Sequence, residues 1–137
     1  MAISYQVEGV KIPSIKKRET SNWIKNVAAA YGKKIGEIAY IFCSDEKILE
    51  VNNQYLQHDY YTDIITFDYT EDNVISGDIF ISTDTVKSNS EQFNTDYQNE
   101  LHRIIIHGIL HLCGINDKGP GEREHMTECE NKALAML

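Results

Sequence analysis

One long segment that is apolar on almost every side constrains the fold of this chain most. Residues 97–113 have the length and periodicity of a helix, and their aliphatic residues cover nearly its whole circumference. The aliphatic residues concerned are Leu101, Ile104, Ile105, Ile106, Ile109 and Leu110. A helix of this kind has to be surrounded by other elements, so we expect it at the centre of a domain.

The same helix carries two histidines at the spacing of metal ligands. His107 and His111 are four residues apart, so they lie on one helical face. Gly114 permits the left-handed turn that ends a helix, and Asp117 then supplies a carboxylate. Two imidazoles and one carboxylate leave an open position on zinc, which is typical of catalytic rather than structural sites. These residues predict a hydrolase with one zinc ion per chain, although histidines at this spacing also occur by chance.

Length and composition indicate a single globular domain over residues 1–137. The chain is 42% hydrophobic and 25% charged, as is ordinary for soluble proteins. No run approaches the ~18 apolar residues of a membrane span, and the N-terminus does not resemble a secretory signal. The three cysteines form no C-x-x-C pair. We therefore expect a cytoplasmic protein that does not contact a membrane.

The charge distribution is uneven. The net charge of −8 is unusual for an enzyme that acts on nucleic acid, because Lys and Arg normally supply much of the affinity for phosphate. Basic residues nevertheless crowd the first quarter of the chain. They form either a local positive surface or a solvated helix face, and the sequence leaves both readings open.

Periodicity predicts alternating strands and helices. The predicted strands are 3–7, 38–43, 63–69 and 78–82, and the predicted helices are 19–31, 44–55, 83–93, 97–113 and 122–137. Thr20 or Ser21 is expected to cap the first helix and Ser44 the second. This order predicts an α+β fold, α/β/α-like, in which helices pack on a small mixed sheet of about four strands. The metal site would lie at the end of the central buried helix.

Three segments in order resemble one protein family. They are residues 52–55 with 62–67 (NNQY and TDIITF), residues 77–79 (GDI) and residues 107–114 (HGILHLCG). Together they resemble the YbeY-type single-strand-specific endoribonucleases that mature ribosomal RNA. The third segment is the most specific of the three.

The resemblance implies a function and further site residues. It implies a zinc-dependent endoribonuclease acting in 3′-end maturation of small-subunit ribosomal RNA and in ribosome quality control. Single-stranded ribosomal RNA and the small ribosomal subunit are the implied partners. Asp63 and Asp78 enter through the same resemblance, as carboxylates that orient water or a ligating histidine. The alternative is that both aspartates only satisfy local backbone donors.

The third metal ligand departs from the family pattern. Asp117 stands where the family usually has a histidine, and a carboxylate binds zinc at a similar distance. An oxygen ligand also makes manganese or iron acceptable as the bound ion. The alternative third ligand is His125, reached if the loop at 119–121 folds back over the site.

The second departure concerns a cation. Leu56 stands where the family commonly has an arginine thought to serve the phosphate. Arg103, one helical turn before His107, is a candidate substitute, because phosphoryl transfer needs positive charge beside the reacting phosphate. The alternative is that Arg103 pairs with Glu100 or another acid on the helix surface.

Two other functions are compatible with the histidine spacing. Small zinc peptidases share a similar H-x-x-x-H-x-x-G-x-x-D pattern, but Gly108 stands where they carry the glutamate that acts as base. Glu122 or Glu124 would have to replace that glutamate. A ribosome-associated binding module without catalytic activity is the third hypothesis, with the metal structural or lost.

Overall fold

The computed structural model describes residues 2–56 and 63–137, and these form an α+β fold with nine elements. The strands are β1 Ala2–Glu8, β2 Lys34–Cys43, β3 Ile64–Asp68 and β4 Val74–Ser82. The helices are α1 Lys17–Ala30, α2 Asp45–Leu56, α3 Thr83–Gln92, α4 Tyr97–Leu112 and α5 Glu122–Leu134. The predicted fold class is confirmed. No helix within the described ranges is long and apolar enough to cross a membrane.

The four strands form one mixed sheet in the order β1-β2-β4-β3. Strands β1, β2 and β4 run parallel, as expected for strands connected through helices. Strand β3 joins β4 through a short turn and pairs with it in antiparallel orientation. It therefore forms one edge of the sheet.

Alternation of side chains along the strands gives the sheet two different faces. One face packs against α1 and α4, and the Tyr40 hydroxyl donates a hydrogen bond of 2.8 Å to the Ile105 carbonyl in α4. The other face is covered by α2, where Ile48 and Val51 pack against Ile65 of β3. The sheet thus lies between two helical layers, as the α/β/α-like prediction stated.

Helix α4 occupies the centre of the larger layer, as its apolar circumference predicts. Its aliphatic residues are buried, and Gly108 brings its backbone close to the sheet. A Cβ atom placed on Gly108 would lie 3.0 Å from Cδ1 of Ile79 and 3.3 Å from Cδ1 of Ile64. The absence of a side chain at position 108 is therefore what allows α4 to approach β3 and β4.

The helix starts confirm one predicted cap and correct another. The Lys47 backbone N–H donates to Oγ of Ser44 at 3.2 Å, as predicted for α2. Helix α1 begins earlier than predicted, at Lys17, so a cap at Thr20 or Ser21 was wrong. Thr20 lies inside the first turns and is buried, while Ser21 hydrogen-bonds the Tyr5 hydroxyl at 3.0 Å.

Candidate active site

A cavity of about 470 Å³ lies beside the edge strand β3, between α4 and α5. Its volume is in the range of small-molecule sites, about 300–1,000 Å³. The residues predicted from the sequence that line it are Asp63, Arg103, His107, His111 and Asp117. The fold therefore brings five of the six predicted site residues to one cavity.

Two of the three predicted metal ligands are in direct contact. Nε2 of His107 lies 3.3 Å from Oδ2 of Asp117. Two ligands on one tetrahedral ion, each about 2.0–2.2 Å from it, lie about 3.4 Å apart. The separation of this pair therefore fits a divalent ion bound by both side chains.

The bend after α4 explains how Asp117 reaches the histidines. Gly114 has a φ of +99°, a conformation that favours glycine. Its N–H donates to the His111 carbonyl at 3.0 Å, and the next N–H, of Ile115, donates to the Leu110 carbonyl at 3.0 Å. These two bonds end the helix and turn the chain back, so that Asp117 faces His107.

His111 completes the predicted set only in part. It is half-buried in the wall of the same cavity. Within residues 2–56 and 63–137, however, no three His, Cys, Asp or Glu side chains are gathered closely enough to hold a metal ion. The structure thus pairs His107 with Asp117, and the three-residue ligand set stays a prediction.

A residue that the sequence did not single out contacts His107 from behind. Nδ1 of His107 lies 2.7 Å from Oε2 of Glu130, a carboxylate in α5 that is only 7% exposed. This contact fixes the ring so that Nε2 faces Asp117 and the cavity. Metal-ligating histidines commonly have such a carboxylate partner on their other nitrogen. The available signal was an acid at core spacing, four residues after Met126.

Arg103 is engaged by α5 rather than free to reach a substrate. Its Nη1 donates to Oε1 of Glu130 at 2.9 Å, and its Nη2 donates to Oδ1 of Asn131 at 2.7 Å. Of the two alternatives that the sequence left open for Arg103, the structure has the one in which this side chain pairs with an acid. The acid is Glu130, whereas Glu100 accepts a hydrogen bond from Thr95. The side chain of Leu56 lies outside the described residues.

The charges around His107 favour a positive charge at its ring. Burial lowers the pKa of His107, but the Glu130 hydrogen bond and the charges of Glu130, Asp117 and Asp63 together raise it above its ordinary value. Burial raises the pKa of Glu130, but His107 and Arg103 bring it below its usual range. Burial raises the pKa of Asp63, and the charge of His107 opposes this only in part. The same negative charges would stabilise a cation that replaced the proton at this site.

The two predicted aspartates lie in different places. Asp63 precedes β3 and lines the cavity, and its carbonyl accepts the Ser82 N–H at 3.0 Å. Asp78 is not brought to this cavity. Its neighbours Gly77 and Ile79 face α4, so alternation turns Asp78 to the opposite face of the sheet. There the Tyr69 hydroxyl donates to Oδ2 of Asp78 at 3.4 Å.

Helix α5 presents one face to the cavity, through Arg123, Met126, Thr127 and Glu130. His125 lies on another face, where its Nε2 is 3.7 Å from Sγ of Cys129. The structure therefore does not support His125 as the third ligand.

The contacts also disfavour a peptidase base. Glu122 and Glu124 do not line the cavity, and the Glu122 carboxylate occupies the space beside Gly119 where a Cβ would lie. A glutamate at position 108 would collide with Ile79 and Ile64 in the sheet. None of the carboxylates that the peptidase reading requires is in place.

Comparisons with known proteins identify the family to which the chain is similar. A family model described as Endoribonuclease YbeY matches residues 3–137. Proteins named endoribonuclease YbeY are 76% identical in Bacteroides thetaiotaomicron, over 99% of both chains, and 52% identical in Porphyromonas gingivalis, over 98% of this chain and 89% of the relative. A protein from Thermotoga maritima, solved in solution, is 28% identical and has a TM-score of 0.70, covering 98% of this chain and 88% of that one.

These comparisons confirm the nuclease prediction, and neither the peptidase nor the non-catalytic module is favoured by them. The match extends over nearly the full chain, so it includes the cavity and every element that forms it. The chain therefore belongs to the endoribonuclease YbeY family.

Proposed function

We propose that this endoribonuclease cleaves unpaired ribosomal RNA with one divalent ion held by His107, His111 and Asp117. The substrate would be the 3′-end region of small-subunit ribosomal RNA, met on the small ribosomal subunit in the cytoplasm. Zinc is the first candidate for the ion, and the oxygen ligand leaves manganese or iron as alternatives. The observation that carries the proposal is the contact of His107 with Asp117 at 3.3 Å, backed by the buried Glu130.

The chemistry assigned to each residue follows from its contacts. A divalent ion supplies Lewis-acid catalysis for hydrolysis of a phosphodiester. With the ion bound, the Nδ1–H of the neutral His107 ring would donate a hydrogen bond to Glu130, and its Nε2 lone pair would be directed into the cavity. Arg103 occupies the other oxygen of that carboxylate and acts as a positioning residue. Asp63, which lines the same cavity as His107, would accept a hydrogen bond from the attacking water.

The test combines metal analysis with RNA cleavage in the same set of variants. Wild type should contain about one ion per chain and should cut a structured RNA within its unpaired loop. His107→Ala and Asp117→Ala should lose both properties because each removes a ligand. His125→Ala is the matched control and should keep both, since His125 faces Cys129. Full metal content and full cleavage in either ligand variant would refute the assignment.

A further inference from the structure

We propose that Lys118 and Arg123 bind backbone phosphates of the RNA at the mouth of the cavity. The inference rests on the proposed function, since it names residues that hold the same substrate. It assigns to these two side chains the role that the family resemblance gives to an arginine where this chain has Leu56.

Three cationic side chains line the cavity, and one of them is already committed. Arg103 makes two side-chain hydrogen bonds, to Glu130 and Asn131, and its side chain is only 30% exposed. Moving it to a phosphate would leave the buried Glu130 carboxylate without the Arg103 cation, which is strongly unfavourable. Arg103 is therefore a poor candidate for contact with the substrate.

Lys118 and Arg123 have the opposite properties. Both are exposed, and both line the cavity. In the described part of the chain, neither side chain forms an ion pair or a hydrogen bond with another residue. Their charges are therefore available to an anion, and Arg123 has the planar donor pattern that binds phosphate in a bidentate way.

The chain path places the two cations on either side of a tight turn. Lys118 directly follows Asp117, and Arg123 lies in the first turn of α5, on the face that also carries Glu130. Between them, the Glu122 N–H donates to the Gly119 carbonyl at 3.1 Å, and Gly121 adopts a left-handed conformation with φ +75°. The turn directs both side chains to the cavity that contains the predicted metal ligands.

The charge of the lining shows why an RNA enzyme needs these two residues. Four carboxylates line the cavity, namely Asp63, Glu100, Asp117 and Glu130. Against the three cations they leave one net negative charge, which a divalent ion reverses. Without Lys118 and Arg123, the lining would stay net negative even with the ion bound. A phosphodiester would then be repelled at the point where it has to react.

The experiment measures how RNA binding depends on salt. Binding of a single-stranded 2′-O-methyl RNA to the zinc-loaded protein is followed by fluorescence anisotropy at several salt concentrations. Lys118→Gln and Arg123→Gln should each lower the slope of log K against log salt by about 0.7, the value expected for one lost phosphate contact on a single strand. In cleavage assays each should raise KM and leave kcat nearly unchanged, and Lys118→Arg should restore the slope.

The matched control is Lys132→Gln, which removes an exposed cation from the same helix but outside the cavity lining. It should keep the wild-type slope and KM. If wild type binds and cuts the RNA while Lys118→Gln and Arg123→Gln match it in slope and KM, the inference is refuted and the proposed function stands. If wild type neither binds nor cuts single-stranded RNA at any zinc concentration, the proposed function itself fails.

Discussion

Glu130 offers the most direct test of how the candidate site is built. Its carboxylate accepts one hydrogen bond from Arg103 at 2.9 Å and contacts Nδ1 of His107 at 2.7 Å, and it is nearly buried between α4 and α5. Glu130→Gln keeps the size of the side chain but removes its charge. The single amide oxygen can then accept from only one of the two partners, and the amide NH₂ faces the other.

The expected loss follows from the contacts that the amide cannot make. A hydrogen bond to a charged group contributes about 1.5–3 kcal/mol, so Glu130→Gln should lower the free energy of unfolding of the metal-free protein by about that amount. Glu130→Ala removes both contacts and leaves the half-buried Arg103 charge unpaired, with an expected loss of about 3–5 kcal/mol. Metal affinity should fall about 10- to 100-fold in both variants, because the orientation of His107 is no longer fixed.

Urea denaturation of the metal-free protein measures the loss of stability. Titration of the metal-free protein with zinc measures the loss of metal affinity. Glu128→Gln is the matched control, because it neutralises an exposed acid on the same helix. It should change stability by less than about 0.5 kcal/mol. A Glu130→Gln protein with the stability and zinc affinity of that control would refute the argument that the buried carboxylate organises the site.

Three further outcomes are expected. Gly108→Ala should lower the free energy of unfolding in urea by about 1 kcal/mol, because crowding against Ile79 costs more than the alanine gains in helix propensity. His102, in edge contact with Trp23, has a pKa that is lowered mainly by burial, so its neutral ring stabilises the native state above pH 6.5. This contribution to the free energy of unfolding should fall as the pH drops from 6.5 through the lowered pKa, by no more than about 1.4 kcal/mol per pH unit. His102→Gln should abolish this part of the pH dependence. Trp23 is the single tryptophan of the chain, so its fluorescence reports this unfolding. Chelation should lower the melting temperature without unfolding the protein at 25 °C, as circular dichroism would show, because the hydrophobic core does not include the predicted metal ligands.

Local patterns were sufficient to predict most of the fold. The apolar circumference of α4 identified a central helix, and Ser44 marked the start of α2 by a cap that is present. The start of α1 was misplaced because Thr20 has the chemistry of a cap, yet it is buried by contacts with distant elements. Helix starts were predicted correctly where a local hydrogen bond determines them, and less well where packing between distant elements determines them.

The site shows the same division. His107, His111 and Asp117 lie within eleven residues, so helical spacing and one glycine bend were enough to place them in one cavity. Glu130 was missed because it meets His107 only when α5 packs against α4, and no spacing rule links the two positions. Asp78 was predicted from a sequence motif, but it lies next to the buried Gly77 and therefore faces the side of the sheet opposite to the cavity.

If the ion and the RNA bind as proposed, the contacts around His107 explain how an acidic protein holds both a cation and a polyanion. The carboxylates nearest to the ring, Glu130 and Asp117, contact its two nitrogens, so their negative charge is concentrated where the ion is expected. Arg103 neutralises the Glu130 carboxylate and is therefore not available to the substrate. The positive charge left for RNA is then at the outer edge, on the loop that follows Asp117 and on the first turn of α5. Separating the two kinds of charge in depth would let the cavity attract the proposed ion at its base and a phosphate at its mouth, despite the net charge of −8.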